Sequence, residues 1–531
     1  MTDVADHAAT ALDDDVALFR RIAGADAVSA DPRLLALFSQ DVWAAGDHRA
    51  ELVVSPRNTK ALAETAAAAS ARGWTLAVRG GGMSYTAGYV PVAPRTLLVD
   101  LSRMDRVLAV NASDMTVTVE AGCTWKTLYE RLAADGLRTP FWGPLSGISS
   151  TVGGGVAQLN AVFGAGRHGT SSESVIGLTV VLPDGAVLRT GAKGRGEAPF
   201  YRHYGPDLTG LFCGDCGALG IKTEITLRLV RPPAYVQGLS FGFPTRSAVA
   251  HAAAELARAE VAAEAFGFDP GLAAVRLKRA SLLSDVRTLG RVAKGRGSLL
   301  RGLFDAARVA RAGRDFLGPD AWSYHLVCEG RSREALQSDL DAARRICTAA
   351  GGREVENSIP TVMRAQPFTP LNNVLGPGGE RWVPVHGLVS LSDANPCLEA
   401  LERLFDELRP TLDRHAVQVG FMLTTLSTNA FLIEPVFFWP EARRALHEAT
   451  VEPRMLAKLP THPENPDATA AVADARARAI DVFQRFGAAH FQIGRTYPYR
   501  ASRDAASRRL LDALKAALDP ERRLNPGVLE R

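Results

Sequence analysis

Between Glu51 and Pro233 the apolar positions switch repeatedly between a helical and an alternating rhythm. ELVVSPRN is a short apolar run stopped by a proline turn, and the Ala-rich TKALAETAAAASARG behind it has the periodicity of an amphipathic helix closed by Gly73. WTLAVRGGG reads as a strand running into a glycine loop, TLLVDLS as a further strand, MTVTVEAG as a strand of period two and WKTLYERLAADG as a helix. GLTVVLPDGAVLRTG predicts two strands around a Pro-Asp-Gly turn, where Gly185 supplies the positive φ. ALGIKTEITLRLV is one more alternating strand, and Pro232-Pro233 ends it, which sets a domain boundary at 233.

Beyond that boundary, long Ala/Arg/Leu-rich helices (SAVAHAAAELARAEVAAEA, SREALQSDLDAARRICTAAGG, NPCLEALERLFDELRPTLDRH) alternate with strand-like runs (AWSYHLVCEG, RWVPVHGLVSLS, AFLIEPVFFW). The alternation predicts an α+β domain over 234–490, a sheet with helices packed on one side. From Phe491 a tyrosine-rich strand and a closing helix are expected, ending at ALDPERRLNPGVL.

At 531 residues the chain exceeds one ordinary core, and its 47% hydrophobic and 22% charged residues are globular values. The N-terminus is acidic, lacks the features of a secretory signal, and no apolar run approaches membrane-spanning length, so a cytoplasmic location is expected. Six dispersed cysteines read as reduced thiols rather than a disulfide scaffold. A net charge of +4 without the basic–aromatic interleaving of single-strand binders argues against a nucleic-acid partner. The stretch from Arg276 to Arg314 is dense in Arg and Lys with Leu and Val at helical spacing. It fits a solvated helical insertion, or a membrane-peripheral surface that touches anionic lipid or an acidic redox partner.

Gly80-Gly81-Gly82 after a strand can turn backbone N–H groups inward as a nest for phosphate oxygens, although a tight turn with no ligand fits the triplet alone equally well. A second glycine cluster follows in GISSTVGGGVAQLNAVFGAGRHGT, then the VVLPDGAVLRTG hairpin, then a third cluster in YGPDLTGLFCGDCGALGIKTEITLRL. In this order the elements resemble the FAD-binding domain of the vanillyl-alcohol oxidase/p-cresol methylhydroxylase (PCMH-type) superfamily, from about Glu51 to Leu229 and again through the C-terminal RRLNPG.

The resemblance implies an α+β flavoenzyme of two domains. The FAD-binding domain, of two α+β subdomains, would span 1–233 and regain 491–531, with a cap over 234–490 covering the flavin ring. Arg79, Gly80, Gly81, Gly82, Met83 and Ser84 would lie against the pyrophosphate. Ser149, Ser150, Thr151, Gly153, Gly154, Ser171 and Ile176 would line the flavin, with Gly220, Ile221 and Asn525 from the third cluster and the tail. The G-x-G-x-x-G fingerprint with its following acidic residue is absent, which argues against an NAD enzyme.

Many relatives carry a histidine tethered to the flavin where this chain has Met83, a thioether with no nucleophilic nitrogen. No cysteine stands at Gly147 to Thr151, where a second tether occurs in some relatives, so non-covalent FAD is expected; a tether from the cap side is left open. Cys213 and Cys216 form a C-x-x-C in a loop resembling that of glycolate and D-lactate dehydrogenases. They fit a redox pair, half of a metal site, or plain buried thiols.

On the substrate side, FQIGRTYPYRAS resembles the G-x-Y-R segment of the para-alkylphenol oxidisers, which implies that Tyr499 and Arg500 bind a phenolate oxygen; closing a domain interface is the plainer use of the same residues. His386 in VPVHGLVSLS and His490 in AAHFQIG lack the carboxylate of the metal cluster found in D-2-hydroxy-acid dehydrogenases, so no metal is expected. Ser150 and Thr151 stand where some phenol oxidisers have an aspartate, which leaves His168, His386, Glu434 and Tyr499 as titratable candidates. The expected activity is hydride transfer to flavin N5 from a small alcohol or alkyl carbon of an aromatic substrate. The alternatives are a D-2-hydroxy-acid dehydrogenase passing electrons to a quinone or protein, and a non-catalytic flavoprotein. Oxygen, a quinone or a protein as acceptor, and a homo-oligomeric state, are left open.

Overall fold

The computed structural model describes residues 2–196, 198–275 and 321–531, with side chains from residue 12 onward. The basic stretch Arg276 to Arg314 lies outside them. The chain divides into two compact units: the first is 1–160, 171–231 and 491–531, and the second is 161–170 and 232–490.

Two sheets build the first unit. In the four-stranded one, Leu52–Val54, Thr96–Asp100 and Thr75–Arg79 run parallel, joined through the helix Thr59–Ala71. That helix begins where the Asn58 side chain accepts the Ala61 amide at 2.9 Å, and it buries Leu62, Thr65, Ala66 and Ala69, one face at i, i+3, i+4, i+7 spacing. Thr75–Arg79 is an edge strand, a row of open backbone groups that the tail covers: the Leu76 amide donates to Arg523 O at 2.8 Å and the Asn525 amide to Leu76 O at 2.8 Å. The second sheet is antiparallel, in the order Val107–Asn111, Thr116–Glu120, Ile221–Arg228, Val175–Val181, Val187–Arg189. Its last two strands are the hairpin expected around Pro-Asp-Gly.

An eight-stranded antiparallel sheet forms the second unit, with the helices Arg246–Arg258, Arg333–Ala349, Ala394–Arg414 and Pro466–Arg485 among those packed on it. Trp322–Gly330 is buried at all nine positions, so both of its faces are covered rather than the one expected. RWVPVHGLVSLS forms two strands, Arg381–Pro384 and Gly387–Ser390, both paired with Ala430–Trp439. The break falls opposite Pro435, which has no N–H to give the ladder.

Two expectations need correction. Residues 161–170 belong to the second unit because their backbone bonds lie there: the Gly166 amide donates to Ala263 O at 3.0 Å and the Ser427 amide to Ala165 O at 3.1 Å. The tail after Phe491 forms turns instead of a strand, since Gln492 and Gly494 take φ values of 51° and Pro498 has no N–H.

His447 gives the second unit a pH signature. It is fully buried, its Nδ1 accepts the Arg444 amide at 3.0 Å, and burial beside Arg381, Arg444 and Arg443 lowers its pKa to about 3. The unfolded chain takes up a proton near pH 6.5 that the folded one refuses until about pH 3. Stability is therefore fully present above about pH 6.5 and falls on acidification by up to about 1.4 kcal/mol per pH unit from this group. Urea midpoints at pH 7 and pH 5 are expected to differ less in His447→Gln than in the parent.

Candidate functional site

The first and second glycine clusters meet at the C-terminal end of Thr75–Arg79. A methyl group on Gly81 would lie 2.0 Å from Ser149 O, and one on Gly80 would lie 2.5 Å from Thr151 Oγ1. Such approaches admit no side chain. Gly82 takes φ +70°, and the Arg79 guanidinium sits so close that a Cβ there would be 2.3 Å from it. Arg79 is held from behind: Nη1 donates to Gly80 O at 3.1 Å and lies 3.5 Å from Asp100, and the guanidinium stacks on the Phe38 ring at 4.0 Å. The Tyr89 hydroxyl lies 2.8 Å from Gln40 O and 3.1 Å from Gly82 O, its one proton shared between the two carbonyls. Asp41 accepts the amides of Trp43, Ala44 and Ala87 and ties the flanking loops together.

Among the described residues, no backbone or side-chain acceptor takes the amides of Gly80, Gly81, Gly82, Met83 or Ser84. Five consecutive unsatisfied donors beside an arginine form an anion-binding concavity. Gly80, Gly81, Met83, Ser149, Ser150 and Gly154 keep part of their surface open, whereas Gly82, Ser84, Thr151 and Gly153 are buried behind them. Thr151 caps the short helix Val152–Gln158, its Oγ1 accepting the Gly154 amide at 3.1 Å. Trp125 Nε1 and Asn160 Oδ1 are buried beside Gly155 without a hydrogen-bond partner among the described residues. A cradle closed to Cβ atoms, lined by free amides and one guanidinium, fits a dinucleotide diphosphate.

Four residues assigned to the cofactor from sequence act from behind this surface. Ser171 is fully buried, its Oγ donating to Gly155 O at 2.9 Å and its amide to Asn160 O at 3.0 Å. Ile221 is fully buried, and a Cβ on the buried Gly220 would lie 2.3 Å from Val180. Asn525 is spent on the backbone: Nδ2 donates to Cys216 O at 2.8 Å and Oδ1 accepts the Val78 amide at 3.4 Å. Each has its contacts filled by protein. Ile176 lies partly exposed in the strand Val175–Val181.

The third cluster is built around a charge pair. Lys222 Nζ lies 2.5 Å from Asp215 Oδ1, both are buried, and Asp215 also accepts the amides of Gly217 and Leu219. A second buried pair, Lys515 with Asp519 at 2.7 Å, donates to Ala218 O at 2.8 Å and Leu524 O at 2.9 Å, and so joins this loop to the tail. Cys216 lies between them: its thiol donates to Gln158 Oε1 at 3.3 Å and accepts the Gly494 amide at 3.3 Å. Burial pushes the Cys213 and Cys216 thiols up to about 12, opposite to the lowered pKa of a reactive redox pair. No group of three metal-ligating side chains converges among the described residues. Cys216 is buried and Cys213 keeps part of its surface open.

Sequence reasoning passed over Arg495. It donates to the carbonyls of Ala87, Val90 and Pro526, with a pKa lowered to about 10 by burial, and clamps the loop after the glycine triplet to the tail. Tyr499 is partly buried, and Arg500 makes a two-pronged pair with Asp512, Nε to Oδ1 at 3.2 Å and Nη2 to Oδ2 at 2.8 Å. His386, His168 and Glu434 belong to the second unit. His386 is fully buried; its carbonyl accepts the His490 Nδ1–H at 2.7 Å, and burial lowers the His490 pKa to about 4.

Residues 50–191 match the FAD binding domain family. Among curated proteins, the chain is 38% identical over 178 residues to a mitochondrial D-lactate dehydrogenase (cytochrome) of Arabidopsis thaliana, covering 34% of this chain and 27% of that protein. It is 29% identical over 197 residues to a glycolate oxidase subunit of Bacillus subtilis, covering 37% and 40%. The match thus spans well under half the length of either relative. Among solved structures, p-cresol methylhydroxylase with substrate bound superposes with a TM-score of 0.72 at 16% identity, covering 98% of this chain and 97% of that one. Alkyldihydroxyacetonephosphate synthase superposes with a TM-score of 0.66 at 16% identity, covering 94% and 82%. The chain is an FAD-binding protein of two α+β units. Residues 50–191 carry the FAD binding domain match, and the superposition on p-cresol methylhydroxylase shows a shared fold.

Proposed function

We propose that the protein is an FAD-dependent oxidoreductase holding its FAD without a covalent bond. The observation that carries this reading is the run of five acceptor-free amides from Gly80 to Ser84 beside Arg79. When bound there, FAD supplies the two-electron acceptor that such chemistry requires. The chain binds the diphosphate through Gly80–Ser84, offers Ser149, Ser150 and Gly154 from the second cluster, and presents a thioether, Met83, where a tether would need a nucleophile. Acid precipitation of the yellow protein is expected to leave all flavin in the supernatant; flavin in the pellet refutes the non-covalent reading.

The substrate is a small molecule with an oxygen on or conjugated to the carbon that is oxidised. A phenolate site would need Tyr499 and Arg500, and Arg500 is already engaged by Asp512. That pairing, with the D-lactate and glycolate activities in the relatives' names, favours a 2-hydroxy acid over an alkylphenol. Anaerobic mixing with D-lactate or glycolate is expected to bleach the flavin band, and with 4-ethylphenol to leave it. Arg500→Ala is expected to keep the bleaching rate within about threefold, a change of under 1 kcal/mol in the barrier. Bleaching by the phenol alone, abolished in Arg500→Ala, reverses the choice.

A further inference from the structure

Nine large hydrophobic side chains are exposed among the described residues, and four of them crowd one loop of the first unit: Phe200 at 66%, Tyr201 at 54%, Tyr204 at 62% and Leu208 at 46%. Single exposed apolar residues need no explanation, but a cluster does. The base of this loop is firmly built. Arg202 pairs with Asp207 through Nε and Nη2, the latter at 2.8 Å, and donates to Ser172 O at 2.7 Å; the Ala192 amide donates to Tyr201 O at 2.8 Å. Thr190 and Thr209 hydroxyls meet at 2.8 Å beneath it. The aromatic rings therefore stand on a braced platform.

The charge around the rings is mainly positive. Residues 187–206 hold Arg189, Lys193, Arg195 and Arg202 against Glu197 as their one carboxylate. Lys193 and Arg202 are neutralised by Glu224 and Asp207. Arg189 and Arg195 are exposed and make no close ion pair among the described residues, Arg189 sharing the field of Glu224 with Lys193; Arg195 lies over the Tyr204 ring at 5.6 Å. Phenylalanine and tyrosine beside arginine is the composition that settles at a bilayer's headgroup level. A second copy docked symmetrically would bring two copies of this arginine-rich loop together, which charge complementarity disfavours.

We propose that this loop docks the protein on an anionic lipid surface, Phe200, Tyr201 and Tyr204 entering the interface while Arg189 and Arg195 meet the headgroups. The contact is reversible and salt-sensitive, because three partly inserted side chains and two charges fall far short of a spanning segment. No helix among the described residues is long and apolar enough to cross a membrane.

The test is co-sedimentation of the flavin-loaded full chain with phosphatidylcholine vesicles containing 30% phosphatidylglycerol, at about 0.1 M salt, where charges act over roughly 10 Å. Binding is expected to the mixed vesicles, and little to phosphatidylcholine alone or at about 1 M salt. Arg195→Gln is expected to weaken it about fivefold, and Phe200→Ser with Tyr204→Ser more than tenfold, with flavin content unchanged in both. Equal binding by parent and double variant overturns the proposal. So does a concentration-dependent dimer that the double variant abolishes, which would assign the loop to a second copy.

Discussion

Gly81→Ala is expected to yield a folded protein that is close to colourless. The added methyl group meets Ser149 O at 2.0 Å, so the two glycine clusters must separate at the point where they form one surface. Overpacking of this kind costs about 1–3 kcal/mol, which corresponds to FAD binding weaker by roughly 5- to 150-fold if the strain falls on the cradle. Gly196→Ala is the control, since a Cβ at Gly196 meets nothing within 4 Å. Flavin retained per chain after gel filtration, with circular dichroism as the check on folding, reads the outcome. A bright yellow Gly81→Ala protein would show that the diphosphate lies elsewhere.

Lys222→Met is expected to produce the largest loss of stability, about 3–5 kcal/mol, because it leaves the Asp215 carboxylate buried without its cation. Asp215 also holds the amides of Gly217 and Leu219, so the third glycine cluster loosens with it. Combining Lys222→Met with Asp215→Asn is expected to recover part of the loss, since a neutral amide oxygen still accepts from Gly217. The measurement is the first urea transition followed by flavin release, the two units being free to unfold separately. A single-variant loss below about 1 kcal/mol would mean that the pair contributes little to this loop.

The first two glycine clusters were legible because their chemistry is local: three consecutive residues without side chains follow the strand Thr75–Arg79, and three more open the helix Val152–Gln158. The partners of Asn525 were not legible, because its bonds reach Val78 and Cys216 across more than 300 residues of sequence. Arg495 was hidden for another reason. Its partners are carbonyls, which every residue has, so no pattern of side chains announces them. Tyr499 and Arg500 were read through a resemblance, and the neighbour that engages Arg500, Asp512, lies one helix later where no motif points. The strand expected after Phe491 failed on backbone angles at Gln492 and Gly494, which the alternation of residue types does not encode.

The tail's position has a consequence for biosynthesis. Leu524 bridges Leu76, and Asn525 and Arg523 bond the same edge strand, so the nucleotide-binding unit is assembled from segments more than 400 residues apart. A nascent chain folding on the ribosome can complete the intervening unit first, but must carry an open strand edge until residues 523–525 have been made. Vitamin-derived nucleotide supplied during synthesis would then find its full site only once those residues have docked.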